Sequence, residues 1–359
     1  MPPEFSLTHY DVGNSNAAAA TFGDNRVVVD SDFQNNSGGK AFREIYKDHL
    51  RNKEMYLLGT HHDEDHTSGF NILTRESRET PETYLSPSLS LYADDTQSKI
   101  QKRAFENDEE TYVPIPDVKE GKFKEISEEM FFKNKVETLD IDVLFPNPHQ
   151  YDSADSVPLT FDRNDGLIIK MEYEYEYKGS QYTHSTLFPG DMNSYYLHVV
   201  ADLIGEDKLN SDTLVLPHHG SRNSADINIL DIDISTARKA LTRQQTASIS
   251  KSTICQGIEN WDHIQELSKD LESRFLKLVD PDNIIISADF EHRNYSHPHD
   301  VIFAVILGSL GHANVYCTKV HGHITEEANT QKVDIITEND VNITSIEGVF
   351  NKLKQMGKY

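Results

Sequence analysis

The run His61-His62-Asp63-Glu64-Asp65-His66 places four potential metal ligands, at positions 61, 63, 65 and 66, in one short turn. Imidazole nitrogen and carboxylate oxygen together suit a divalent ion such as Zn²⁺, Mn²⁺ or Fe²⁺. A thiolate site is not on offer, because Cys255 and Cys317 are the only cysteines. Taken alone, an acidic His-rich turn also fits a solvated loop. Other segments carry the same chemistry. Gly190-Asp191 follows a stretch that reads as a strand, and its carboxylate could bridge two ions. His218-His219-Gly220-Ser221 follows another, and so does the segment holding Asn294, His297 and His299. Metal-competent groups at four strand ends point to one convergent site rather than to scattered surface residues.

The elements that must position these groups can be read in outline. Two strands joined by a turn are expected in the first 35 residues, with Val27-Val28-Val29 as a short buried strand ending at Asp30. The pattern from Gly39 to Arg51 predicts a helix, and Met55 to Leu58 a strand that runs into the His-rich turn. Strand, polar loop and helix start is how an α/β fold presents ligands. Val136 to Phe145 alternates as a strand does. Gly166 to Tyr177 and Tyr182 to Phe188 predict a hairpin turning at Lys178-Gly179-Ser180-Gln181. Tyr173, Tyr175 and Tyr177 alternate along it as a sheet face. A helix is expected over Tyr195 to Ile204, with strands at Thr213 to Leu216 and Ile284 to Ser287. Trp261, Ile264, Leu267, Leu271, Phe275 and Leu278 recur at intervals of three and four, as one apolar stripe on a helix.

Composition bounds the function. With 37% hydrophobic and 26% charged residues among 359, the chain suits a globular protein, expected as a single domain. No apolar run approaches the length of a membrane span, and the N-terminus lacks signal-peptide character, so a cytoplasmic location without membrane contact is expected. The formal net charge of −25 counts against nonspecific grip on nucleic acid by the whole surface, while leaving room for a local basic groove.

In its ordered motifs the chain resembles the metallo-β-lactamase-fold hydrolases, and among them the soluble domain of ComEC-type DNA-uptake proteins. The family's opening D-V-G motif is matched by Asp11-Val12-Gly13, and its strand-ending Asp by Asp30. The metal motif H-x-D-x-D-H is matched by His61, Asp63, Asp65 and His66. Asn164-Asp165-Gly166-Leu167-Ile168-Ile169 resembles its N-N-x-S-L-V-L stretch. The G-D and H-H-G-S motifs are matched by Gly190-Asp191 and His218 to Ser221. Ser287 with Asn294-Tyr295-Ser296-His297-Pro298 resembles its last motif. The matches run in order over about residues 9 to 323. Asn14, Ser15 and Asn16 depart from the family's opening loop, and nothing in this sequence matches the family's membrane channel. The link between His219 and His297 is longer than the family's, which marks 232–275 as a helical insertion.

The resemblance implies an αββα sandwich and a dinuclear centre of zinc or manganese at the sheet edges. His61 and Asp63 would serve one ion, and Asp65 and His66 the other. Asp191 would bridge them, and His218 or His219 would complete the second site. Asn164, Asp165 or water would complete the first. A hydroxide shared by the two ions would attack a phosphodiester, with Asp65 and His297 in the catalytic apparatus and Ser221 and Asn294 on the substrate. Asp30, like Asp165, would act behind the ligands. Nucleic acid or a small phosphodiester is the expected substrate. Two other functions compete with it: hydrolysis of a lactone, thioester or amide, and a regulatory subunit. The insertion at 232–275 would serve as a lid over the metal cleft or as a partner or dimer surface, or pack on the core.

Overall fold

The computed structural model describes residues 5–13, 16–23, 25–31, 54–60, 66–67, 69–70, 83–87, 112–115, 139–145, 167–192, 197, 201, 204–221, 258, 260–288, 297–328 and 333–356. Their strands form two mixed sheets. The first joins β1 (Phe5–His9), β2 (Ala18–Phe22), β3 (Asn25–Val29), β4 (Glu54–Leu58), β5 (Thr83–Pro87) and β6 (Tyr112–Ile115) to β13 (Ile324–Ala328) and β14 (Val333–Thr337), in the order β14-β13-β1-β2-β3-β4-β5-β6. The second joins β7 (Leu139–Phe145), β8 (Ile168–Tyr177), β9 (Ser180–Phe188), β10 (Thr213–Val215), β11 (Asn283–Ile286) and β12 (Asn314–Cys317), in the order β12-β11-β10-β9-β8-β7.

Alternation explains how the sheets meet. Phe5, Leu7, Val27 and Val29 of the first sheet join Ile169, Met171, Tyr173, Phe188 and Val215 of the second in one buried layer. Phe5 stacks on Tyr173 with ring centroids 4.3 Å apart. Val28 and Leu57, on the opposite face by the two-residue period, are also buried. The outer face of the second sheet carries Leu214, Ile284, Ile286 and Val315. Against it lie helices α1 (Trp261–Leu267), α2 (Arg274–Val279), α3 (Asp300–Ser309) and α4 (Ile346–Gln355). The expected pair of facing sheets is observed, and among the described residues the helices cover the outer face of the second sheet.

Three local expectations change. The small residues Ala18 to Ala20 form the strand β2 between β1 and β3, so three strands replace the expected two. Alanine favours helix in isolation, but this strand is buried, and tertiary pairing overrides propensity. The β8–β9 hairpin turns on Lys178 and Gly179 alone, both at positive φ (53° and 78°), as a two-residue connection demands. The apolar stripe is not on one helix. α1 ends at Leu267, α2 begins at Arg274, and Leu271 lies between them. Ser273 caps α2 by accepting the Leu276 N–H at 3.1 Å. Ile264, Leu271 and Phe275 are nonetheless core residues, and Trp261, Leu267 and Leu278 pack against them. The expected helix from Gly39 to Arg51 and the residues from 222 to 257 lie outside the described residues. Among the described residues, no helix is long and apolar enough to cross a membrane.

The strand directions matter for function. β3 and β4 are parallel, and so are β9, β10 and β11. Their C-terminal ends therefore open on common edges, where Asp30, Thr60, Asp191, His219 and Ser287 follow. Phe350 anchors the helical layer, with its ring 5.4 Å from Phe303 and 5.8 Å from Trp261. Phe350→Ala should cost about 3–5 kcal/mol in denaturant unfolding. Tyr182→Ala, at a side chain 44% exposed, should stay within about 0.5 kcal/mol.

Candidate metal centre

Asp30 leaves β3 in the left-handed region (φ 50°), which aims its carboxylate at the end of β4. There Oδ1 accepts the Thr60 backbone N–H at 2.7 Å, and Oδ2 accepts the Thr60 hydroxyl at 2.5 Å. Oδ2 also accepts from His66 Nδ1 at 2.8 Å. The backbone secures the same corner: Ser31 N–H donates to His66 O, and Gly69 N–H to Ser31 O. Because Nδ1 donates to Asp30, a neutral His66 ring carries its lone pair on Nε2.

That Nε2 stands 3.1 Å from Asp191 Oδ1. Asp191 follows β9 through Gly190, whose positive φ (58°) and surroundings leave no room for a side chain. A Cβ there would lie 3.0 Å from Thr60 Oγ1 and 3.1 Å from Thr60 Cβ. Asp191 itself is 5% exposed, and its buried Oδ1 has no hydrogen-bond partner among the described residues. His219 reaches the same carboxylate from the end of β10. Its Nδ1 donates to Ser287 O at 3.0 Å, which turns Nε2 toward Asp191 Oδ1 at 3.9 Å. The ligand atoms of His66, Asp191 and His219 all lie within 4.8 Å of one another. Two imidazole lone pairs facing a carboxylate oxygen repel unless a cation lies between them. The donor set fits a divalent ion.

The other carboxylate oxygen faces elsewhere. Asp191 Oδ2 lies 3.5 Å from Nε2 of His218, a ring 26% exposed. His218, His219 and Gly220 are consecutive left-handed residues (φ 49°, 55° and 77°), a backbone that costs free energy at the two histidines. A Cβ on Gly220 would come within 2.7 Å of Pro298 Cβ. This turn splays the adjacent rings to opposite oxygens of one carboxylate, so His219 joins the buried trio and His218 stands on the other side. The His297 ring lies 5.7 Å from His218 and 6.1 Å from His219, and its Nδ1 is 3.3 Å from His299 Nδ1.

Electrostatics follow from this packing. Burial disfavours the Asp191 carboxylate; protonated His218, His66 and His219 would hold its pKa well below the usual range, and with neutral rings a bound cation would take their part. Burial and then the charges of His219, His299 and His218 push His297 down to about 2, so its ring is neutral at physiological pH.

The structure thus brings together Asp30, His66, Asp191, His218, His219 and His297, with Ser221 buried beside them. His61, Asp63, Asp65, Asn164, Asp165 and Asn294 lie outside the described residues. Thr60 and the carbonyl of Ser287 are parts of the centre that the sequence did not single out. The only signal for Thr60 was a hydroxyl residue directly before the His-rich turn. For Ser287 it was membership of the last matched motif, which says nothing of its carbonyl.

No family model matches the chain, and no curated protein matches it significantly. Solved structures are similar at low identity. Metallo-β-lactamase SMB-1 bound to 2-mercaptoethanesulfonate is 13% identical, with a TM-score of 0.33 over 69% of this chain and 88% of that one. MEM-A1, a subclass B3 metallo-β-lactamase from a soil metagenome library, is 12% identical, with a TM-score of 0.33 over 70% and 92%. The short form of human tRNase Z is 11% identical, with a TM-score of 0.36 over 79% and 92%. Such scores carry no argument of their own. What the structure itself shows is two facing mixed sheets with helices against the outer face of the second.

Gly190→Ala should push Thr60 off Asp30 and lower the Zn²⁺ or Mn²⁺ retained after desalting. Gly179→Ala, at an equally left-handed turn with nothing within 4 Å of its Cβ, should leave metal content unchanged. Elemental analysis of both purified variants checks this.

Proposed function

We propose that this protein is a metal-dependent hydrolase that cleaves phosphodiesters at a dinuclear centre, in the manner of the ComEC-type domain its motifs resemble. The observation that carries the reading is the placement of Asp191. One oxygen of a buried carboxylate faces His66 and His219, and the other faces His218. A carboxylate flanked on both oxygens by imidazoles is what a bridge between two ions requires.

His66, Asp191 and His219 would hold one ion together with Asp65. Asp191 Oδ2 and His218 would face the other, alongside His61 and Asp63. When bound, the ions supply an activated water and neutralise charge building on the phosphoryl oxygens. The chain's own residues do the rest. Asp30 and Thr60 fix the His66 tautomer, and Ser287 O fixes that of His219. His297, neutral and beside both His218 and His219, is placed to donate an N–H to a substrate oxygen, with Ser221 and Asn294 as further contacts. The net charge of −25 favours a small or single-stranded phosphodiester over a long duplex, which would demand a broad basic surface.

Purified protein with Mn²⁺ or Zn²⁺ should hydrolyse bis-p-nitrophenyl phosphate. Asp191→Ala, His219→Ala and Asp65→Asn should each lower the rate on the order of 10³-fold. Hydrolysis of lactones or thioesters with no phosphodiester cleaved would replace this reading with the second one. Near-normal activity in folded Asp191→Ala would remove the site altogether.

A further inference from the structure

A second buried carboxylate lies between the sheets, away from the metal centre. Glu326 of β13 is fully buried and belongs to the inward face of its strand, opposite Leu7 of β1. Its Oε1 accepts from His9 Nε2 at 2.7 Å, and its Oε2 from His184 Nε2 at 2.7 Å. The Thr186 hydroxyl lies 3.1 Å from each oxygen. Glu326 and His9 belong to the first sheet, and His184 and Thr186 to β9 of the second. None of these residues belongs to the motifs matched above. Apolar residues would fill the layer at less risk, because a buried ion stabilises only when all its partners are in place.

Two features raise this cluster above simple packing. First, β9 links it to the metal centre. The strand leaves His184 and Thr186 and passes Phe188, whose ring lies 5.8 Å from the His9 ring. It ends at Gly190-Asp191. The metal centre takes Asp30 and His66 from the first sheet and Asp191 and His219 from the second, so its geometry depends on how the sheets are held. Second, the cluster reaches solvent. His184 Nδ1 lies 3.7 Å from the Asp212 carboxylate, whose side chain is 43% exposed. Asp212 is held in turn by the Ser185 N–H and hydroxyl.

We propose that Glu326, His9, His184 and Thr186 form an ionic latch between the two sheets, which positions the Asp191 strand against His66 and loosens when His184 loses its proton. The groups acting on His184 are Glu326 from β13, Asp212 before β10, Asp282 before β11, and Tyr173 opposite it in the β8 ladder. His9 shares the Glu326 carboxylate from β1. Burial disfavours the His184 cation, but Glu326, Asp212 and Asp282 outweigh it, and the pKa rises above 6.5. Burial also opposes the Glu326 anion, yet His184 and His9 hold its pKa far below 4.5.

The signs then follow. The His184 contribution is complete below its unfolded value of 6.5 and is lost as pH climbs through its raised folded value. The Glu326 contribution is complete above 4.5 and is lost as pH falls through its depressed one. Between 4.5 and 6.5 both are in force, so a rise in pH above 6.5 is what releases the latch.

The inference takes the metal centre as described but not its reaction, so the test reads stability and metal affinity rather than hydrolysis. Thermal midpoints of the EDTA-treated full chain would be followed from about pH 5 to about pH 9 for wild type, His184→Gln and Glu326→Gln. His184→Gln keeps a donor toward Glu326 without a charge. The metal-centre histidines titrate in all three chains and cancel in the differences. Wild type should lose midpoint relative to both variants across one protonation step above pH 6.5, and its Mn²⁺ affinity relative to His184→Gln should fall several-fold over the same step. Parallel midpoint profiles would overturn the latch. A midpoint step without a change in relative Mn²⁺ affinity would overturn its positioning role. If neither variant folds, the His184 imidazole resonance of wild type decides the matter: an apparent pKa at or below 6.5 would overturn the proposal.

Discussion

Asp191 must stay ionised although it is almost wholly buried, and much of the structure is arranged around that requirement. At 5% exposure a carboxylate pays a large desolvation cost unless charge or donors surround it. Here the surrounding groups are imidazoles brought from both sheets. Asp30 and Thr60 exist in their observed geometry to hold one of those rings, and the carbonyl of Ser287 holds another. Gly190 lacks a side chain because Thr60 occupies the space beside it. The left-handed turn at His218, His219 and Gly220 directs two adjacent rings to different oxygens of one acid.

The contrast with Glu326 shows why one buried acid is structural and the other chemical. Both are enclosed, and both are flanked by histidines. Around Glu326 every facing atom is a donor: two Nε2–H groups and a hydroxyl fill its lone pairs. Around Asp191 the protons are already committed. His66 Nδ1 gives its hydrogen to Asp30, and His219 Nδ1 gives its hydrogen to Ser287. What the neutral rings turn toward Asp191 is electron density. The first arrangement is complete with protons, and the second calls for a metal.

The two acids also share a strand. β9 carries His184 at its middle and Thr186 further along, and delivers Asp191 just past its C-terminal end, while its Phe188 packs in the layer between the sheets. Interiors are close-packed and deform in discrete ways rather than continuously. A shift at the Glu326 cluster is therefore passed along a strand paired over its length with β8 and, at Thr186 and Leu187, with β10. A ligand set divided between two sheets is sensitive to that shift in a way that a set built on one loop would not be.

The sequence by itself marked the candidate ligands and their order, because His and Asp clusters at strand ends are local information, and the structure brings His66, Asp191 and His219 of them together. It also determined the paired β8–β9 ribbon and most inner strands, where β-branched runs and alternation state their preference within a few residues. It failed where the preference was not local. Ala18 to Ala20 became a strand only because β1 and β3 lie on either side. The stripe from Trp261 to Leu278 kept its burial but not its single helix, since a helical period cannot reveal a break that capping at Ser273 and the core around Leu271 impose. The tertiary structure alone decided which of His218 and His219 joins His66, because that choice lies in the φ angles of the turn. It alone revealed Thr60 and Ser287 as supports. It alone assembled His9, His184 and Glu326, which are scattered along the chain and meet only when two sheets close on each other.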